Sequence, residues 1–321
     1  MMWKMILRRI LIMIPQLLVL SLVIFIMAHF MPGDALFGVV DPTIRPEDLD
    51  RIREAIGMNR PWYERYFEWL TNMLRGDFGR SFNHQRSVTD VIGERLPNTI
   101  RLSFVTAMFT YMIAIPLGII AGRFREKTAD KIIVIYTFFA FAMPTIIFAL
   151  INLFVFGFTL RWFPITGSVD PRAVAGTLNY QLSRVHHLIL PALTLALLST
   201  IGLINILRSE IIDNENSDFV TTARAKGVPR RVIYNKHIFR NAALPVYASF
   251  GFAIAGLMAG SIFIERVFSF PGMGTLFVQS IAGRDFTTVN ALTMFYGVVT
   301  VVGTALSDIF ITVADPRIRI Q

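Results

Sequence analysis

Apolar positions along the chain gather into long uninterrupted runs, without the 3.6-residue or 2-residue spacing of half-buried helices and strands. The runs occupy about residues 10–30, 102–122, 132–160, 188–207, 243–264 and 289–313. Each is long enough to cross a hydrocarbon core of about 30 Å at a helix rise of about 1.5 Å per residue. They are roughly twice as long as a barrel strand and do not alternate, so helices are the spanning elements. The pattern predicts an all-α polytopic membrane protein with six transmembrane helices. The first run reads as a span and not as a cleaved leader. It exceeds the apolar core of a leader, and no small-x-small site follows Met31-Pro32-Gly33-Asp34.

The polar stretches predict local structure of their own. Within residues 31–98, Pro46-Glu47-Asp48 suits a first helical turn, Leu49, Ile52 and Ile56 follow at helical spacing, and Gly57 supplies a stop. A second short helix opens at Pro61, carries Trp62, Tyr66, Trp69 and Met73 on one stripe, and ends at Gly76. An aromatic stripe beside a span is expected to lie in the membrane interface. Residues 161–187 hold Trp162, Phe163, Pro164 and the pair His186-His187. A vicinal pair lacks the ligand number and spacing of a zinc site, so interfacial histidines are expected there.

Composition narrows the class further. The 321 residues are 54% hydrophobic and 17% charged with no cysteine, which excludes a soluble two-domain enzyme, a disordered chain and a disulfide scaffold. The net charge of +9 belongs to one side of the membrane. With the N-terminus inside, the inner segments hold sixteen basic and seven acidic residues, and the outer segments fourteen of each. Both termini are therefore expected in the cytoplasm, and the basic charge implies topology and anionic lipid, not nucleic acid.

Catalytic patterns are missing. The sequence has no G-x-x-x-x-G-K-[ST] loop, no H-E-x-x-H, no G-x-S-x-G and no kinase signature. Asp308 is the clear ionisable residue within a run, and Arg101 sits at the end of one. An ion-coupled secondary transporter is disfavoured by that scarcity and by the lack of a repeat among the six runs. Asn152, Asn205 and Asp308 are candidates to line a path, although a hydrogen bond from helix to helix is the favoured reading of each. Gly118/Gly122 and Gly256/Gly260 have G-x-x-x-G spacing, a frequent chance match in apolar sequence.

Residues 208–242 are the most informative segment. Ser217 or Asp218 can cap a short helix, Phe219 and Ala223 share a face, Gly227 stops it and Pro229 follows. Val232, Ile233 and Phe239, interleaved with Arg231, Lys236 and Arg240, suggest a second short amphipathic helix ending near Pro245. Such a basic hairpin suits either a groove in a soluble protein or an anionic leaflet, and the pattern leaves both open.

Thr222-Ala223-Arg224-Ala225-Lys226-Gly227, with Pro245 downstream, resembles the ATPase-docking loop of ABC-transporter permeases, in particular the B-type permeases of peptide importers. Of the general form E-A-A-x-x-x-G the chain keeps Ala223 and Gly227, with Thr221 at the glutamate position. Further matches run from end to end: Arg8-Arg9, Pro32-Gly33-Asp34, Gly76-Asp77-Phe78-Gly79-Arg80-Ser81, Glu94-Arg95-Leu96-Pro97-Asn98-Thr99, Pro271-Gly272-Met273-Gly274, Arg284-Asp285 and Asp315-Pro316-Arg317-Ile318. The resemblance implies a type I importer permease fold: a first span with an extracellular helical cap in residues 1–98, and a five-helix core in 99–321. It implies docking by Asp218, Phe219, Thr222, Ala223, Arg224, Ala225, Lys226 and Gly227, with the small Ala223 allowing close seating. The implied partners are a second homologous permease chain, two cytoplasmic ABC ATPases that hold ATP and Mg, and an extracellular peptide-binding protein. No cofactor or catalysis is implied in this chain, and the location is a bacterial or archaeal plasma membrane. Oligopeptides are the favoured cargo, with dipeptides, glutathione and nickel chelates open.

Overall fold

The computed structural model describes residues 2–30, 60–247, 249–250, 256 and 262–314. Among them the chain is helical, and the isolated β-bridge joins Arg80 to Ser87. The helices are α1 (Met2–Phe30), α2 (Trp62–Leu74), α3 (Val88–Arg123), α4 (Thr128–Ala142), α5 (Thr145–Asn152, prolonged by a π-helix Leu153–Thr159) and α6 (Leu178–Glu215). There follow α7 (Asp218–Ala225), α8 (230–242, with a π stretch Ile233–Ile238), α9 (Ile262–Val267), α10 (Met273–Ala282) and α11 (Phe286–Ala314).

Among the described residues four stretches are long and apolar enough to span: Leu7–Met27, Val88–Arg123, Leu178–Glu215 and Phe286–Ile309. They correspond to the first, second, fourth and sixth runs. The third run, expected as one helix over 132–160, is a pair: α4 and the helix Thr145–Thr159 meet at 108°. Pro144 is the cause. It offers no backbone N–H, and the residue before it is pushed out of the helical region, as Met143 shows with φ −86° and ψ 119°. Half of the fifth run, the helix expected at 46–57 and Gly260 of the Gly256/Gly260 pair lie outside the described residues.

α3 and α6 are far longer than their apolar runs. Their 36 and 38 residues reach about 54 Å and about 57 Å, well beyond a bilayer core. Both starts are capped, by the Ser87 hydroxyl accepting from Thr89 N at 3.2 Å and the Thr177 hydroxyl accepting from Tyr180 N at 3.3 Å. Along one face of α3, Thr99, Ser103, Thr106, Thr110, Ala114, Gly118 and Gly122 recur at every third or fourth position, and all are buried. α6 answers with Thr194, Thr200, Ile204, Leu207 and Ile211. At the closest approach a Cβ on Gly118 would lie 2.7 Å from Leu207 Cβ, and one on Gly122 would lie 2.7 Å from Ile211 Cβ. The G-x-x-x-G spacing is thus used: missing side chains let two backbones meet where lipid gives little hydrophobic drive for helices to associate. Two of the buried hydroxyls are satisfied within their own helices, Thr110 donating to Thr106 O and Thr194 to Leu190 O, each at 2.8 Å.

The second layer is set by α1, which packs on α11 with Arg9 and Asp308 paired at 3.0 Å. α2 folds onto α1. The hydroxyls of Tyr66 and Ser21 lie 2.8 Å apart, and the Phe25 ring contacts Tyr66 at 5.5 Å and Trp69 at 5.9 Å. The aromatic stripe expected in the membrane interface is therefore partly a packing surface, with Tyr66 buried and Trp62 left exposed.

Gly122→Leu should lower the thermal transition of the purified protein in detergent by an amount corresponding to about 1–3 kcal/mol of overpacking. Gly93→Ala, at a helical glycine whose added Cβ would meet nothing within 4 Å, should leave it unchanged or raised. Equal transitions for the two variants would contradict a tight α3–α6 seam.

Candidate docking hairpin and the scaffold at the opposite end

At the C-terminal ends of α3 and α6 the chain builds a compact hairpin. Ser217 occupies the N-cap of α7 in extended conformation (φ −78°, ψ 151°), its carbonyl accepting from Val220 N at 3.0 Å, and Asp218 places an acid in the first turn. The helix stops at Gly227, whose φ of +71° is left-handed. Gly227 N donates to Arg224 O at 3.0 Å and Val228 N to Ala223 O at 3.2 Å, which uses up the last carbonyls. Pro229, fixed near φ −57°, then opens α8.

The apolar face of α7 points into the chain itself. Val220 and Ala223 are buried with Ile233, Tyr234, Ile238 and Ala242 of α8 and Ile211 of α6, and Ile119 and Val228 close the cluster. The eight residues expected to dock are thereby divided. Ala223 is small because α8 crosses close over it, not because it is offered outward. Asp218, Phe219, Thr222, Arg224, Ala225, Lys226 and Gly227 remain exposed. Phe219, 37% exposed, is an aromatic presented to the surroundings, one helical turn from Thr222. Phe219 and Ala223, read from the sequence as one face, differ in burial: Ala223 is covered by α8, while Phe219, at the edge of that face, is left exposed.

Polar contacts fasten the hairpin to the spans. Tyr234 Oη donates to Glu215 Oε1 at 2.5 Å, and Arg224 Nη2 donates to the same oxygen at 3.0 Å. The guanidinium of Arg123, the last residue of α3, lies 5.3 Å from the centre of the Tyr234 ring. Two turns back along α6, Arg208 grips Asp130 with two bonds, Nε to Oδ1 at 2.7 Å and Nη2 to Oδ2 at 2.9 Å. Nothing in a single sequence pairs Asp130 with Arg208 or Tyr234 with Glu215. Only the parallel alignment of α3 and α6 brings them together.

The other ends of the same helices hold a second construction, built from the sequence motifs that flank the spans. The first backbone N–H groups of α10 need acceptors, and two buried side chains supply them: Met273 N donates to Thr99 Oγ1 and Thr275 N to Glu265 Oε2, both at 2.8 Å. Pro271-Gly272-Met273-Gly274 is shaped by that carboxylate, since a Cβ on Gly272 would fall 2.4 Å from Glu265 Oε1. Asn98 Nδ2 donates to Pro271 O at 3.0 Å, joining this turn to Glu94-Arg95-Leu96-Pro97-Asn98-Thr99. Alongside, fully buried Asp285 accepts from the Ser81 hydroxyl and, at 2.8 Å, from Thr288 Oγ1. The Gly76 to Ser81 motif thus meets Arg284-Asp285 in space.

The remaining candidates have local settings. Asn152 is buried and donates to Phe148 O of its own helix at 2.8 Å. Asn205 is exposed, and Asp308 faces Arg9. His186 Nε2 lies 2.8 Å from Trp162 O and His187 Nδ1 2.7 Å from Ser183 O, so both rings bond to backbone carbonyls.

Residues 114–320 match the family described as the binding-protein-dependent transport system inner membrane component, and residues 2–103 match its N-terminal region. The chain belongs to this family. It is thus a permease subunit of a binding-protein-dependent ABC importer and a multi-pass membrane protein. Oligopeptide transport system permease protein AppB of Bacillus subtilis is 39% identical over 318 residues, 98% of each chain. Oligopeptide transport system permease protein OppB of Haemophilus influenzae is 33% identical, covering 99% of this chain and all of its own length. A putative peptide transport system permease protein of Brucella melitensis is 34% identical over 99% of both. The fold is that of the inward-facing MetNI methionine ABC transporter, with a TM-score of 0.56 at 12% identity over 70% of this chain and 96% of that one. The type I permease architecture expected from the motifs is therefore the one found.

For this permease, Gly227→Val should speed tryptic cleavage at the neighbouring Lys226, Arg230 and Arg231 in the folded protein, because a β-branched residue resists a left-handed turn. A Cβ there would meet nothing within 4 Å, so the penalty is conformational and Gly227→Asn should behave nearly as wild type. Equal cleavage of the valine and asparagine variants would remove the argument.

Proposed function

We propose that the chain is one of two homologous permease subunits enclosing the path of an ATP-driven peptide importer, with oligopeptides as the cargo. Its full-length similarity to permeases named for oligopeptide transport supports the substrate class. The observation that carries the energy source is the exposed Phe219–Thr222 face of a hairpin whose other face is already filled. That face docks a cytoplasmic ABC ATPase: a lone aromatic on a short helix is the common anchor of a helix seated in a groove. ATP and Mg are held by the ATPases, since this sequence has no phosphate loop. Both termini and the hairpin face the cytoplasm, following the basic excess of the inner segments. The buried-acid scaffold around Glu265 and Asp285 faces outward, where a peptide-binding protein delivers cargo. In the cycle, ATP-driven closure of two ATPases moves the hairpins, and the long helices α3 and α6 transmit that movement as rigid bodies.

Two experiments test the reading. In this cysteine-free chain, Ala175→Cys should react with an impermeant maleimide on intact cells and Lys226→Cys should not; the reverse pattern would invert the topology. Phe219→Asp should lower ATPase recovery in a pull-down of the permease by roughly tenfold, as expected for loss of an interface anchor, at unchanged thermal stability. Undiminished recovery would remove Phe219 from the interface.

A further inference from the structure

The hairpin is held by two kinds of contact that do different physical work. The apolar cluster of Val220, Ala223, Ile233 and Ile238 against Ile211 is non-directional, so it keeps α7 close to α6 without fixing its angle. Directional control comes from the polar contacts at Tyr234. Its ring is 3% exposed, and burial pushes its phenol above the ordinary value, so at neutral pH the hydroxyl keeps its proton and donates. The acceptor is the carboxylate of Glu215, the final residue of α6, at 2.5 Å. The same oxygen takes the Arg224 guanidinium at 3.0 Å, from the last turn of α7. Over the ring lie Arg123, from the end of α3, at 5.3 Å, and Arg230, from the start of α8, at 5.7 Å. Two spans and both arms of the hairpin therefore converge on one tyrosine and one carboxylate.

We propose, building on the ATP-driven reading above, that Tyr234 and Glu215 are positioning residues for energy coupling: their hydrogen bond ties α8 to the end of α6 and, with Arg224 on the same carboxylate oxygen, sets the angle at which the partner-facing helix α7 is held. Neither residue touches cargo or nucleotide. Their effect is on how much of an ATPase stroke reaches the spans. With the bond removed, the hairpin keeps its apolar seat and its docking face, but α8 is no longer tied to the end of α6 and the hairpin turns more readily on that seat, so ATP is hydrolysed with less import.

Tyr234→Phe removes the hydroxyl's contacts with Glu215 and Arg230 while keeping the ring, its burial and the cations over its face. The complete transporter, purified with its ATPases from native membranes and reconstituted with its binding protein, is assayed for ATP hydrolysed per labelled tetrapeptide imported. Tyr234→Phe and Glu215→Ala should each raise that ratio by roughly threefold to tenfold, the range of one ordinary net hydrogen bond, with ATPase recovery unchanged. Glu215→Gln, which keeps an acceptor for the phenol, should stay within about twofold of wild type. A wild-type ratio in Tyr234→Phe overturns the proposal, and so does a Tyr234→Phe complex that fails to assemble, because the contact is then structural only. A wild-type transporter that imports no tetrapeptide on ATP addition overturns the importer reading instead.

Discussion

The structure depends on one close approach, the contact of Gly118 and Gly122 with Leu207 and Ile211. Within lipid, apolar helices gain little by meeting each other, so a lasting pair needs surfaces that fit at short range. Here that surface is a line of hydroxyl and small side chains from Thr99 to Gly122. It aligns α3 and α6 in parallel, and each is much longer than the membrane is thick. Everything at either end inherits its position from this seam.

Two constructions illustrate that inheritance. At one end Arg123 and Ile119 of α3 and Ile211 and Glu215 of α6 form the floor on which the hairpin sits. At the other, Asn98 and Thr99 of α3 hold the turn that starts α10 over the buried Glu265. A displacement of the hairpin cannot be absorbed by bending within the seam, because close-packed contacts shift between discrete arrangements and do not deform smoothly. In the proposed cycle the pair is a lever, with the hairpin at one tip and the Glu265 turn at the other. Arg208 and Asp130 stiffen it near the hairpin, with two charge-assisted bonds that also lock the entry into α4.

Much of this was legible in the sequence, and the divisions follow physical lines. Long apolar runs announced helices because lipid leaves the backbone no other way to satisfy its hydrogen bonds. Gly227 and Pro229 marked the hairpin turn because few residues tolerate those dihedrals. Periodicity could not say which side of α7 is filled: Phe219, Val220 and Ala223 are all apolar, and only the crossing of α8 decides that Ala223 is covered and Phe219 is not. The break at Pro144 was visible as a proline but not as a 108° bend, since prolines 97, 116 and 191 are accommodated inside continuous helices. Glu265 and Asp285 read as ordinary outer charges. Their burial arises from residues more than 160 positions away in sequence, Thr99 and Ser81.

What lies against Phe219 in the membrane decides whether energy enters the permease at this hairpin. A photo-crosslinking amino acid in place of Phe219, activated in native vesicles, should give one dominant adduct with a polypeptide that binds ATP, and none with lipid. An adduct with phospholipid alone would show that the exposed face of the hairpin rests on the bilayer, contradicting its assignment as the site where energy enters the permease.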